Sequence, residues 1–292
     1  MHRLKLPDSA PAWALLFGAA TWGIVWYPYR LLARAGVDGI WSTFFTYSIA
    51  LGIGILAFPR IAWSLRRMPF LAIVMGLAIG WSNLGYVLGV LEGEVMRVLL
   101  LFYLAPLWTV PLARLILHER LDGRGFAVMA VAFAGAMIML WHPQVGLPWP
   151  ASRAEWLGLA AGFFFALGNV LVRRLHDMGD AAKSLVIWAG VAAVALAYVP
   201  FSSSSGAQAL EAARAAPLIV LGIGVALFGM SLALQYGLSR LPANRAIVIL
   251  LFELVVAAVA AYLLAGEVMR PQDWIGGALI VAATCVPARP RS

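Results

Sequence analysis

The chain has 292 residues, of which 63% are hydrophobic and only 12% are Asp, Glu, Lys or Arg. A soluble globular domain carries about twice that charged share, so there are too few charges to cover a water-facing surface and an integral membrane protein is expected. The net charge of +8 would point to nucleic acid in a soluble protein. Here the positive charges lie in short loops between apolar runs, where membrane topology accounts for them, so lipid is the expected partner and nucleic acid is not.

The one cysteine, Cys285, rules out an intrachain disulfide. The histidines His2, His118, His142 and His176 lie near segment ends without ligand spacing, so neither a metal nor a cofactor is expected.

A helix crossing the hydrocarbon needs about 20 apolar residues. Ten stretches read that way: 12–33, 40–58, 69–90, 95–117, 124–141, 154–174, 181–200, 217–238, 243–265 and 272–288. The first follows His2, Arg3 and Lys5, a start like that of a signal peptide. Trp22, Tyr27, Pro28 and Arg30 interrupt it, and no small-residue cleavage site follows, so it reads as an uncleaved span. Gly18, Trp22, Trp26 and Tyr29 form one stripe at helical spacing along it. Trp22, deep and beside Gly23, is the ring best placed to stack on an aromatic or cationic solute. The same stripe would also pack against neighbouring helices or lipid.

Tyr47 lies well inside the second span. The third carries Asn83 and Tyr86 on one face among Gly76, Gly80, Gly85 and Gly89, small residues that let helices approach closely. Pro106 and Pro111 interrupt the fourth span, with Tyr103 about one turn before the first of them. Asn169 in the sixth span, Trp188 in the seventh and Gln235 in the eighth add polar edges at depth, and Ser231 precedes Gln235 by one turn. The ninth span places Glu253 in the middle of an otherwise apolar run from Ala243 to Ala265. A carboxylate at membrane depth is expensive and normally faces a bundle interior or a polar cavity, which marks a functional site.

With the N-terminus in the cytoplasm, fifteen Lys and Arg fall inside and six (Arg30, Arg34, Arg97, Arg153, Arg214 and Arg270) outside. An even span count returns the C-terminus to the cytoplasm. A shift of 148 residues places Arg97 on Arg245, Glu119 on Glu267, Gly76 on Gly224 and Gly89 on Gly237. Five spans per half is an odd number, so the second half (147–292) enters from the side opposite to the first (1–146). The expected fold is therefore an all-α membrane protein of ten transmembrane helices in two inverted five-helix repeats around a central cavity. Transporters commonly bind cargo between such repeats, near the midplane.

Trp22-Gly23 in the first span, His118-Glu119 and Gly266-Glu267 closing the fourth and ninth, and Trp274-Ile275-Gly276-Gly277 in the tenth resemble the drug/metabolite transporter superfamily, EamA type. Within it the chain is most similar to the YddG-type aromatic amino acid exporters of bacterial inner membranes. It departs from the pattern at Leu167-Gly168, where the second half lacks the Trp-Gly pair. The resemblance implies efflux of amino acids, aromatic and other apolar ones, from the cytoplasm across the inner membrane.

The expected cargo contacts are Trp22, Tyr47, Asn83, Tyr86, Tyr103, Asn169, Trp188, Gln235 and Glu253. Glu253 would accept the cargo ammonium or carry a proton, and the residues leave proton coupling open. The same residues would also serve efflux of cationic drugs, or metabolite uptake. A catalytic constellation is not expected, since no Gly-x-Ser-x-Gly or P-loop is present. The residues do not specify an oligomeric state.

Overall fold

The computed structural model describes residues 9–92, 95–119, 122–141, 150–265 and 270–286. The expectations placed on Gly266, Glu267, His142, Trp149, Arg120 and the terminal basic residues lie outside them. Every regular element among the described residues is helical. In chain order these are α1 (Ala10–Arg34), α2 (Gly39–Ala57), α3 (Pro59–Ser64), α4 (Phe70–Glu92), α5 (Val95–Phe102), α6 (Ala105–Leu112) and α7 (Gly123–Leu140). They continue with α8 (Arg153–Arg174), α9 (Asp180–Tyr198), α10 (Gly206–Ala215), α11 (Pro217–Arg240), α12 (Ala243–Leu250), α13 (Phe252–Ala265) and α14 (Pro271–Cys285).

Short polar side chains start these helices by taking up orphan backbone N–H groups. Asp38 accepts from the N–H groups of Ile40 and Trp41 at the head of α2, Asp122 from Gly125 at α7, and Ser152 from Glu155 at α8. Ser205 and Gln208 close a reciprocal capping box on α10. Pro28 sits inside α1 without ending it.

Seven segments are long and apolar enough to cross a membrane by length and composition. They are Gly39–Ala57, Phe70–Gly89, Leu100–Leu117, Arg153–Arg174, Asp180–Phe201, Pro217–Arg240 and Ala243–Leu264. The other three expected spans correspond to α1, α7 and α14. The first has 25 residues of mixed aromatic, Pro and Arg content, while α7 and α14 have 18 and 15 residues. Large apolar side chains such as Trp13, Leu56, Phe70, Leu218 and Leu263 point outward, as a lipid-facing surface requires. The protein is thus a multi-pass, all-helical membrane protein.

Two of the spans are not continuous helices. The fourth is split into α5 and α6 at Tyr103-Leu104, then ends in a π-helical turn (Ala113–Leu117) closed by His118 in the left-handed region, φ 57°. The ninth is split into α12 and α13 at Leu251. Pro106 supplies no N–H to the Phe102 carbonyl, which explains the first break. No proline lies at the second.

Helix pairing crosses between the two halves of the chain. α4 packs on α8 and α9, α11 packs on α1 and α2, α2 also packs on α9, and α7 pairs with α14. Glycine makes the closest of these crossings. A Cβ on Gly190 of α9 would stand 2.4 Å from the backbone C and O of Gly76 on α4, and one on Gly276 of α14 would stand 2.3 Å from the Gly135 carbonyl of α7. The α14 start is further tied to the α7 end, where Arg270 donates to the Met139 carbonyl at 2.9 Å and Gln272 to the Trp141 carbonyl at 2.6 Å.

Neither backbone at the Gly76–Gly190 crossing can yield to a methyl group, and overpacking of this kind costs about 1–3 kcal/mol. Gly190→Ala should therefore lower the thermal midpoint of the detergent-solubilised protein. Gly229→Ala, at a position with nothing within 4 Å, should leave it unchanged or raise it.

At one rim, Asp38 accepts from Ser202 and from Ser204 (2.6 Å), and the indole of Trp41 donates to the Ser204 carbonyl at 3.1 Å. Burial pushes the Asp38 carboxyl up, but the hydrogen bonds from Ser202, Ser204 and the N–H groups of Trp41 and Ile40 outweigh it and hold the group below its ordinary value. A carboxyl depressed in the folded state contributes stability above its unfolded pKa and loses it as pH falls through the folded one. Asp38→Asn should therefore reduce thermal stability at neutral pH, with the gap to wild type closing in acid. A constant gap at every pH would contradict this.

Candidate functional site

Middle portions of α1, α2, α4, α8, α9 and α11 enclose a cavity of about 100 Å³ together with the two helix breaks. That is room for several water molecules. Of the nine residues expected to meet cargo, seven line this chamber: Trp22, Tyr47, Asn83, Tyr86, Asn169, Gln235 and Glu253. The other two stand behind its wall. Tyr103 is buried and donates its hydroxyl to Glu253 Oε1 at 3.0 Å. Trp188 is fully buried and donates its indole N–H to Ser231 Oγ at 2.9 Å. Its ring fills the space left by Gly54, where a Cβ would stand 2.3 Å away.

The position of Glu253 is set by the break at Leu251. Far from lying mid-helix, it occupies the first turn of α13, just past the break, where the Leu254 N–H turns back to the Leu251 carbonyl at 3.1 Å. The corresponding half-helices α5 and α12 are displaced by 148 residues at both ends, from Val95 to Ala243 and from Phe102 to Leu250. Tyr103 of the first break and Glu253 beside the second thus join across the chamber wall. Discontinuous helices whose ends face a midplane cavity are how membrane transporters expose backbone polarity to a solute.

Around this carboxyl the wall is aromatic. Phe102 lies with its ring centroid 5.2 Å from that of Tyr86, 5.2 Å from Tyr103 and 5.4 Å from Phe165. Opposite polar groups are partly paired, with Tyr47 donating to Asn83 Oδ1 at 3.1 Å and Asn83 Nδ2 to the Ile79 carbonyl at 3.3 Å. Among the described residues, Asn169 Nδ2 and Gln235 Oε1 are buried without a hydrogen-bond partner. One wall therefore offers an acceptor acid beside a cluster of tilted and edge-on rings, and the amides offer one spare donor and one spare acceptor. That is the format of a mostly apolar pocket with a few orienting polar groups. No group of three or more His, Cys, Asp or Glu that would hold a metal occurs among the described residues.

Sequence reasoning did not include Ser82, Phe102, Phe165, Met230 and Leu234 among the cargo contacts, although all line the chamber. Ser82 adjoins Asn83, and Leu234 adjoins Gln235, so their neighbours were the available signal. The apolar ones carry none that separates cavity wall from helix contact.

Residues 152–287 match the EamA-like transporter family. The chain is 25% identical over 287 residues to protein RarD of Streptomyces exfoliatus, covering 92% of this chain and 85% of that protein. It is 27% identical over 281 residues to a probable terminal-alkyne amino-acid exporter of Streptantibioticus cattleyicolor, covering 94% and 92%. A solved crystal structure shares the fold with a TM-score of 0.75 at 18% identity, over 95% of this chain and 97% of that one, a likeness of fold alone. The second half of the chain is thus similar to EamA-like transporters, and two relatives at 25% and 27% identity extend that similarity over nearly its full length.

Removing the Tyr103 hydroxyl leaves a buried acceptor unpaired, which costs about 1–3 kcal/mol. Tyr103→Phe should lower the thermal midpoint, whereas Tyr103→Phe with Glu253→Leu, which removes both partners, should recover part of the loss. Additive losses in that double-variant cycle would show that the two side chains do not interact.

Proposed function

We propose that the chain is a secondary transporter that exports aromatic and other apolar amino acids, with related metabolites, by alternating access. The observation that carries this reading is the chamber at the two helix breaks, where one acid stands beside an aromatic wall and unpaired amides. Glu253 accepts the cargo ammonium, Asn169 donates to its carboxylate, and Trp22, Tyr86 and Phe102 cover its side chain. The amino-acid exporter among the relatives supports that cargo class.

Ten spans in two inverted repeats, 1–146 and 147–292, form part of the same proposal. Three observations support it: the breaks spaced by 148 residues, the reciprocal packing of α4 on α8 and α11 on α1, and the equivalent bonds Tyr47–Asn83 and Trp188–Ser231 joining α2 to α4 and α9 to α11. The membrane is then an inner membrane, with both termini in the cytoplasm as the Lys and Arg bias requires. The acid and rings would equally hold a flat cation, which keeps efflux of cationic compounds as the second reading.

The test is flux in proteoliposomes loaded with Phe or Trp, with and without a pH gradient. Amino acid release above that of empty liposomes, lost or freed from the pH gradient in Glu253→Gln, is the expected outcome. Flux of quaternary cations alone would favour the second reading, and wild-type flux in Glu253→Gln would remove that residue from the mechanism.

A further inference from the structure

Three chamber-lining residues each stand one helical turn from a polar residue on the same helix, and those polar residues belong to a single network. Asn169 precedes Arg173 on α8, Gln235 precedes Ser239 on α11, and Lys183 precedes Ile187 on α9. A turn advances about 5.4 Å, so these polar groups form the layer immediately beyond the chamber floor.

The layer is continuous. Lys183 Nζ donates to Ser239 Oγ and lies 3.4 Å from Asp180 Oδ1. Asp180 Oδ2 takes a 2.7 Å hydrogen bond from Arg240 Nη1. Ser239 Oγ donates to the Gln235 carbonyl at 2.6 Å, and the Ser239 carbonyl accepts from Arg173 Nη1. Arg173 Nε stands 3.4 Å from Glu119 Oε1, and Glu119 Oε2 accepts from the backbone N–H of Ala243 at 3.0 Å. One chain of contacts thus ties the start of α9, the end of α11, the end of α8, the connection after α6 and the first residue of α12.

The Lys183 side chain is 0% exposed. An ammonium so placed is tolerated only while it stays paired, so the buried Lys183 depends on the layer remaining intact.

We infer that this Glu119–Arg173–Ser239–Lys183–Asp180–Arg240 network is a closed seal over one end of the chamber, and that it must open for cargo to pass there. The inference rests on the transport reading for its purpose, but not for its test. Glu119 joins two helices here, because one oxygen pairs with Arg173 at the end of α8 and the other accepts from the first N–H of α12. The polar tie at Asp38 is different in kind, since it joins connecting segments at a rim and stands about two turns from Tyr47, the lining residue of α2.

The experiment reads accessibility rather than flux. Cys285 is replaced by Ser, a reporter cysteine is placed in the chamber at Leu234, and a membrane-impermeant maleimide is added to either face of sealed vesicles. A cysteine at exposed Asp177, beside the seal in the α8–α9 connection, marks in a parallel sample which face the reagent reaches. Asp180→Asn and Glu119→Gln keep shape and remove charge. Each should speed labelling from the Asp177 face by roughly tenfold, within the usual range for coupled equilibria, with no rise from the other face. Unchanged labelling from the Asp177 face in folded, monodisperse protein would overturn the inference.

Should both variants fail to fold, Arg240→Gln serves in their place. Its guanidinium is half exposed, and its loss should loosen Asp180 in the same direction by a smaller factor; no change there is again a refutation. Faster labelling without amino acid flux would sink the cargo reading and leave the seal standing. Unchanged labelling with wild-type flux would do the reverse.

Discussion

The structure is governed by the cost of leaving a polar group without a partner where no water can reach it. The hydrogen bond from Tyr103 to Glu253 is the sharpest case, because it pairs an acid inside an apolar span with a hydroxyl from the other broken span. The same constraint explains Tyr47 on Asn83, Trp188 on Ser231 and Lys183 on Ser239. Each bond pins one helix to another at a fixed height. Of the buried side-chain atoms left unpaired among the described residues, Asn169 Nδ2 and Gln235 Oε1 belong to the chamber wall, whereas Trp108 Nε1, Ser184 Oγ, Asn244 Oδ1 and Arg245 Nε belong to residues outside it. Satisfied polarity therefore builds the scaffold, and the two spare amide atoms of the wall are the ones a solute in the chamber could meet.

Close packing supports those bonds. Gly76 against Gly190 and Gly135 against Gly276 bring backbones together where any side chain would hold them apart. Gly54 makes room for the Trp188 ring, which also stacks on Phe228 at 5.3 Å. Without that slot the indole could not reach Ser231. Small residues at crossings and large ones beside them are the same device, since the bilayer supplies no hydrophobic drive between helices and van der Waals contact must do so.

The chamber and the polar layer beneath it divide two demands. A solute site needs a few convergent groups that are free to change partners. A barrier needs groups that have none to spare. Placing the two a single helical turn apart on α8, α9 and α11 lets one rotation or tilt of those helices disturb both.

The sequence by itself determined the membrane class, the helical class and the approximate bounds of the long helices, because apolar run length is a local property and α2, α4, α8, α9 and α11 follow it closely. It also singled out Glu253, Asn83, Asn169 and Gln235, since a polar residue in an apolar run is conspicuous without any fold. Only the tertiary structure decided that Leu251 breaks the ninth span, as no proline or glycine announces that break and it depends on packing at the chamber. The same holds for Tyr103 and Trp188, whose hydroxyl and indole were legible but whose partners, 150 and 43 residues away, were not. Long-range pairing also turned Glu119, Arg173, Asp180, Lys183 and Ser239 from separate segment ends into one layer, because contacts between helices depend on how they cross and not on any one helix's composition.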